Sequence, residues 1–164
     1  MPNFQINKFP EPAVCQWDFF KNTTLNALVE QAFKSGLAAV SSAGNDGVDA
    51  CGRSPASTVD AITVGASTEE DKMYNRSNHG PCINVFAPGK SILGAYITGP
   101  TSSIKMTGTS MAAALTSGIL AKILSVNLNQ TPAQLRADLY NKASPQKLKD
   151  LPPNTRNELV YFGC

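Results

Sequence analysis

Gly108-Thr109-Ser110-Met111-Ala112-Ala113 sets a small hydroxyl between a glycine-bearing turn and an apolar run. A serine that opens a helix is surrounded by backbone N–H groups with no intrahelical acceptor, and these donors face incoming negative charge. That arrangement suits acyl transfer, in which a hydroxyl attacks a carbonyl and nearby donors receive the oxyanion. On its generic features alone, the hexapeptide reads more simply as a serine N-cap on a core helix. A second segment, Ser42-Ala43-Gly44-Asn45, closes another apolar run with a side-chain amide that can donate. Asn45 taken by itself, ahead of Asp46-Gly47, is a turn residue.

These segments need elements to hold them. Leu25, Leu28, Val29, Ala32 and Phe33 recur at the spacing of one helix face from Thr24 onward, and Gly36 stands where a left-handed cap belongs. Leu37-Ala38-Ala39-Val40 follows as a short apolar run ending in a polar loop, the pattern of a buried parallel strand. Ala61 to Gly65 and Ile83 to Phe86 read as two further strands, and Ile92 to Tyr96 as a fourth. Ser110 to Ser125 is apolar nearly all round, as a helix buried inside a domain is. Thr131 and Pro132 supply the cap and first-turn proline of a last helix reaching about Asn141. Leu159 to Phe162 reads as a short closing strand, whereas residues 1–23 show no sustained period and are expected to be irregular or foreign to the domain. Helix leading directly into strand predicts an α/β layered fold.

Gly108-Thr109-Ser110-Met111-Ala112 resembles the nucleophile motif of the subtilisin superfamily, and Ser42-Ala43-Gly44-Asn45 resembles its oxyanion segment, in the right order. Ser54-Pro55-Ala56-Ser57, Ile62-Thr63-Val64-Gly65-Ala66 and Phe86-Ala87-Pro88-Gly89, lying between them, are similar to further family segments, closest to the proteinase K and fungal vacuolar protease branch. The resemblance runs from about Leu25 to Phe162. It implies a three-layer α/β domain with a parallel sheet, truncated at its N-terminal half, in which 24–164 is the C-terminal part of a peptidase domain. It also implies a serine endopeptidase acting on polypeptides, with Ser110 as nucleophile and Asn45 as oxyanion donor. Ser42, Ala43 and Gly44 would line one wall of the pocket for the residue before the cleaved bond. In that branch a cysteine after the oxyanion segment can pair with one before the Phe-Ala-Pro-Gly turn, which maps to Cys51 and Cys82. Family analogy places the intact enzyme outside the cell or in a vacuole.

The family's aspartate and histidine lie upstream of anything that matches. His79 is the chain's one histidine, and Ser77-Asn78-His79-Gly80 resembles a family turn rather than the catalytic helix. Asp46, Asp49 and Asp60 have no motif that would make any of them the triad acid. Without a base, Ser110 is a weak nucleophile, and the chain alone is expected to be nearly inactive. Ala114 and Leu115 stand where the family continues with proline and histidine, and Asn84 where the branch carries a calcium-ligating aspartate. The expectation is no cofactor, with at most a weak calcium site in the intact enzyme.

A formal net charge of +2 and the absence of any basic run argue against nucleic acid. The apolar stretches are interrupted by Ser, Gly or Lys, so no membrane span is expected. Residues 1–8 lack the charged and apolar regions of a secretory signal. The spacing of Cys15, Cys51, Cys82 and Cys164 does not suit zinc; the residues leave three disulfide connectivities open. A rival reading is a non-catalytic fragment that binds peptides or partners through an open sheet edge. An α/β-hydrolase elbow is excluded because it needs glycine two residues after the serine, where Ala112 stands.

Overall fold

Asn22 starts the first helix. Its Oδ1 accepts the Leu25 N–H at 3.0 Å, and α1 (Thr23–Lys34) follows. Gly36, at φ +97°, turns the chain just beyond the helix, as the sequence predicts. The computed structural model describes residues 12–15 and 19–161.

Two short strands precede α1, β1 (Ala13–Cys15) and β2 (Phe19–Phe20). The expectation of irregular chain before residue 24 therefore does not hold at these positions, and the domain takes in residues ahead of it. Three residues are too few to show a period, and β1 is a strand because Ala13 to Cys15 find parallel partners in Ala39 to Ser41. Residues 1–11 and 16–18 lie outside the described residues, as do Phe162 and Cys164 of the expectations above.

The remaining elements are β3 (Ala39–Ser42), β4 (Arg53–Ser54), β5 (Ile62–Ser67), β6 (Val85–Pro88), β7 (Ile92–Ala95), β8 (Ser103–Met106), α2 (Thr109–Val126), α3 (Pro132–Lys142), β9 (Ser144–Pro145) and β10 (Glu158–Leu159). The main sheet runs β1-β3-β5-β6-β10-β9, parallel except for β9. The expected fourth strand, β7, forms a separate hairpin with β8.

Strand alternation sorts the core into two faces. Val40, Ile62, Val64, Ala66, Val85 and Ala87 pack against Ala112, Ala113, Leu120 and Leu124 of α2 and Leu135 and Leu139 of α3. Ala39 meets Val29 of α1, and Phe86 packs with Ala43, Ala50, Ile83 and Leu148. Helices thus flank a mostly parallel sheet, the α/β layering expected. By length and composition alone α2 is apolar enough to cross a membrane, because its single Lys122 lowers the average little. Its apolar residues pack on β3, β5 and β6.

Gly65 shows how closely the second face is packed. A Cβ there would lie 2.4 Å from Cε1 of Phe86, whose side chain is fully buried. Gly65→Ala is expected to destabilise the fold by about 1–3 kcal/mol through overpacking. Gly118→Ala, at a helical site with nothing within 4 Å, should instead stabilise it by about 0.5–1 kcal/mol. Urea midpoints of the two variants against the parent check both signs.

Candidate active site

Three segments distant in sequence meet beyond the carboxyl ends of the parallel strands, where open α/β sheets place their sites. They are the loop after β3, the Gly89 turn after β6 and the start of α2. Gly44 N–H donates to Thr109 Oγ1 at 3.1 Å, and Thr109 N–H donates to Asn45 Oδ1 at 2.9 Å. Gly108 N–H donates to the Gly89 carbonyl at 2.8 Å. Gly108 has φ +154°, and a Cβ on it would stand 3.3 Å from Asn45 Oδ1. Glycine is needed there both for the backbone and for the approach of the asparagine.

Ser110 is the second residue of α2 and is half-buried. With Asn45 Oδ1 accepting the Thr109 N–H, the donor capacity of the same amide lies on Nδ2. Gly44, Asn45 and the first turn of α2, which carries the Ser110 hydroxyl, are therefore joined by hydrogen bonds that run through Thr109. The arrangement can receive negative charge developing on a carbonyl oxygen attacked from Ser110.

The three aspartates considered for the triad are engaged in other contacts. Asp46 pairs with Arg53 at 2.7 Å, Asp49 Oδ1 accepts the Cys51 N–H at 2.8 Å, and Asp60 lies 3.9 Å from Arg136. His79 joins the loop through its backbone, donating to the Val48 carbonyl and accepting from the Ala50 N–H. Cys51 and Cys82 form a disulfide with Cα atoms 5.3 Å apart. Cys15 on β1 is a free thiol, and burial pushes its pKa up, so it stays protonated and poorly nucleophilic at neutral pH.

The sequence model of the subtilase family matches residues 14–163, which include every segment of this site. The chain belongs to the subtilase family. It is 40% identical over 155 residues to the subtilisin-like serine protease Rho m 2.0101 of Rhodotorula mucilaginosa, covering 88% of this chain and 45% of that protein. Cerevisin of Saccharomyces cerevisiae is 39% identical over 155 residues, covering 87% of this chain and 24% of cerevisin. Among solved structures, a cold-adapted subtilisin-like serine proteinase superposes with a TM-score of 0.86 at 36% identity, covering 92% of this chain and 55% of that one. The chain thus spans less than half the length of these two curated relatives.

Within this subtilase chain, Asn45 and the start of α2 are brought together by the Thr109 N–H bond to Asn45 Oδ1. Ser42 and Ala43 are buried at the end of β3, with Ala43 N–H donating to the Val64 carbonyl. Two residues that sequence reasoning did not single out hold the arrangement. Thr109 links Gly44 and Asn45 to the helix, and Asn78, fully buried, bonds the loop that carries Asn45. Both stand inside motifs already in view, but nothing in a linear motif says that its side chain reaches another segment.

Proposed function

We propose that this chain is the nucleophile- and oxyanion-bearing part of a serine endopeptidase that hydrolyses peptide bonds. Ser110 Oγ attacks the scissile carbonyl, and Asn45 Nδ2 with the Ser110 N–H receives the oxyanion. The Thr109 N–H to Asn45 Oδ1 bond is the observation that carries this reading, because it ties the asparagine amide to the residue next to Ser110. Ser42, Ala43 and Gly44 form one wall of the pocket for the residue before the cleaved bond.

The triad aspartate and histidine belong to chain that precedes this part in a whole subtilase domain, so these 164 residues alone have negligible turnover. His79 is not assigned as the base, because Ser77-Asn78-His79-Gly80 resembles a family turn rather than the catalytic helix. Calcium has no step here. Asn84 is a neutral amide where a carboxylate would bind calcium more strongly, and its Oδ1 accepts the Thr63 N–H at 2.7 Å, so a calcium ion there would be held weakly. The disulfide supports a protein of an oxidising compartment, the cell exterior or a vacuole.

A fluorophosphonate probe tests the reading. The folded chain alone should not be labelled. Co-refolding with the upstream half of a related subtilase should bring labelling and peptide cleavage, both lost in Ser110→Ala. Ser110-dependent labelling of the lone chain would refute the missing-base reading. A correctly assembled complex that never labels would refute the endopeptidase assignment and favour a peptide- or partner-binding fragment.

A further inference from the structure

We infer that Asn78 is a positioning residue for Asn45, acting on the oxyanion loop from the side away from Ser110; this rests on the oxyanion reading above. The loop between Ala43 and Asp49 has reason to be mobile. It carries two glycines with positive φ, Gly44 at +99° and Gly47 at +68°, on either side of Asn45. Such glycines permit the turn but add backbone freedom that must be removed if one amide is to be aimed at a carbonyl oxygen.

Asn78 removes that freedom from both sides of Asn45. Its Oδ1 accepts the N–H groups of Asp46 and Val48, each at 3.1 Å, and its Nδ2 donates to the Ala43 carbonyl at 2.7 Å. Its own N–H donates to the Gly44 carbonyl at 2.9 Å. The residue has no exposed surface, so these groups would not find water easily if the side chain were removed. Asparagine suits the position because one planar amide supplies both the acceptor for two N–H groups and the donor for a carbonyl.

The turn that presents Asn78 is itself anchored. Ser77 Oγ accepts the Ala66 N–H of β5 at 3.1 Å and donates to the Asn78 carbonyl at 2.9 Å. Gly80 N–H donates to Thr155 Oγ1 at 2.9 Å, tying the other side of the turn to the C-terminal segment. Hydrogen bonds therefore run from β5 through Ser77 and Asn78 to the loop, and from Asn45 to Thr109 at the start of α2. The central sheet sets the position of the oxyanion donor by way of Asn78.

Solution NMR on the chain itself tests this without any need for turnover. The readouts are amide exchange at Asp46, Val48 and Thr109, and the through-hydrogen-bond coupling between the Thr109 nitrogen and the Asn45 side-chain carbonyl carbon. Asn78→Ala should speed exchange at Asp46, Val48 and Thr109 by roughly tenfold to a hundredfold and abolish the coupling, with Val64 and Leu120 exchanging as in the parent. Faster exchange at Asp46 and Val48 with the Thr109 protection and coupling intact would overturn the proposal, since Asn45 would then hold its place unaided. Should Asn78→Ala not fold, Asn78→Asp replaces it, keeping the size and both accepted N–H bonds while losing the donor to Ala43. About a tenfold loss of Thr109 protection is expected of it. Unfolding of this variant too would overturn the proposal by making Asn78 a requirement of the whole fold. Failure of the oxyanion reading appears separately, as an Asn45→Ala variant with unchanged turnover in a domain completed by its upstream half.

Discussion

Asn45→Ala, in a domain completed by its upstream half, is expected to lower kcat by about two to three orders of magnitude with little change in KM. That magnitude is the one known for the oxyanion asparagine of subtilisin, a member of this family. The selectivity for kcat follows from when the bond forms. A planar substrate carbonyl makes little use of the amide, whereas the tetrahedral oxyanion moves toward it, so the interaction is stronger in the transition state. Asn45→Asp sharpens the test. A carboxylate oxygen can still accept the Thr109 N–H, so the loop keeps its anchor, but the donor facing the oxyanion becomes an acceptor bearing charge. The aspartate variant should therefore be at least as slow as the alanine variant. Steady-state kinetics on a chromogenic peptide read both, and an aspartate variant with parental kcat would reduce Asn45 to a turn residue.

Removing the disulfide is expected to have the largest effect on stability. Cys51 and Cys82 are 31 residues apart, and closing a loop of that length reduces the entropy of the unfolded chain by an amount equivalent to about 3–4 kcal/mol. A domain of ordinary stability has about 5–15 kcal/mol in all, so the Cys51→Ala/Cys82→Ala double variant should unfold at a much lower urea concentration. The link joins the short 3-10 turn at Ala50–Gly52, just past the oxyanion loop, to the chain entering β6. Ala50 and Ile83, next to the two cysteines, are buried in the same cluster as Phe86. Reductant acting on the parent chain should reproduce the shift. Equal midpoints for oxidised parent and double variant would mean that this cluster holds the two segments without the covalent bond.

Much of this protein was legible in the linear sequence, wherever the determining interactions are local. The extent of α1 follows from a repeating apolar face from Thr24 onward and from Gly36, all within a few turns of one another. α3 follows in the same way from Thr131, whose Oγ1 accepts the Gln134 N–H, and from Pro132. The buried character of α2 is visible in a composition apolar on every side, and the two segments around Asn45 and Ser110 point to a chemistry through their resemblance to family motifs.

What the residues left open was settled by pairing across distance. Ala13-Val14-Cys15 carries no strand signal and becomes one because β3 presents matching hydrogen-bonding groups. Gly65 is an unremarkable strand glycine until the ring of Phe86, from the neighbouring strand, lies across it. Of the connectivities open to four cysteines, the resemblance pointed to Cys51 with Cys82, and the fold brings those two within bonding distance. Asn78 is the sharpest case, since its amide reaches Ala43, Asp46 and Val48 from 30 to 35 residues away. Local propensity acts over a turn of helix or a strand's alternation and can be read along the chain. A hydrogen bond between distant segments depends on where the whole sheet puts them, and only the tertiary structure contains that information.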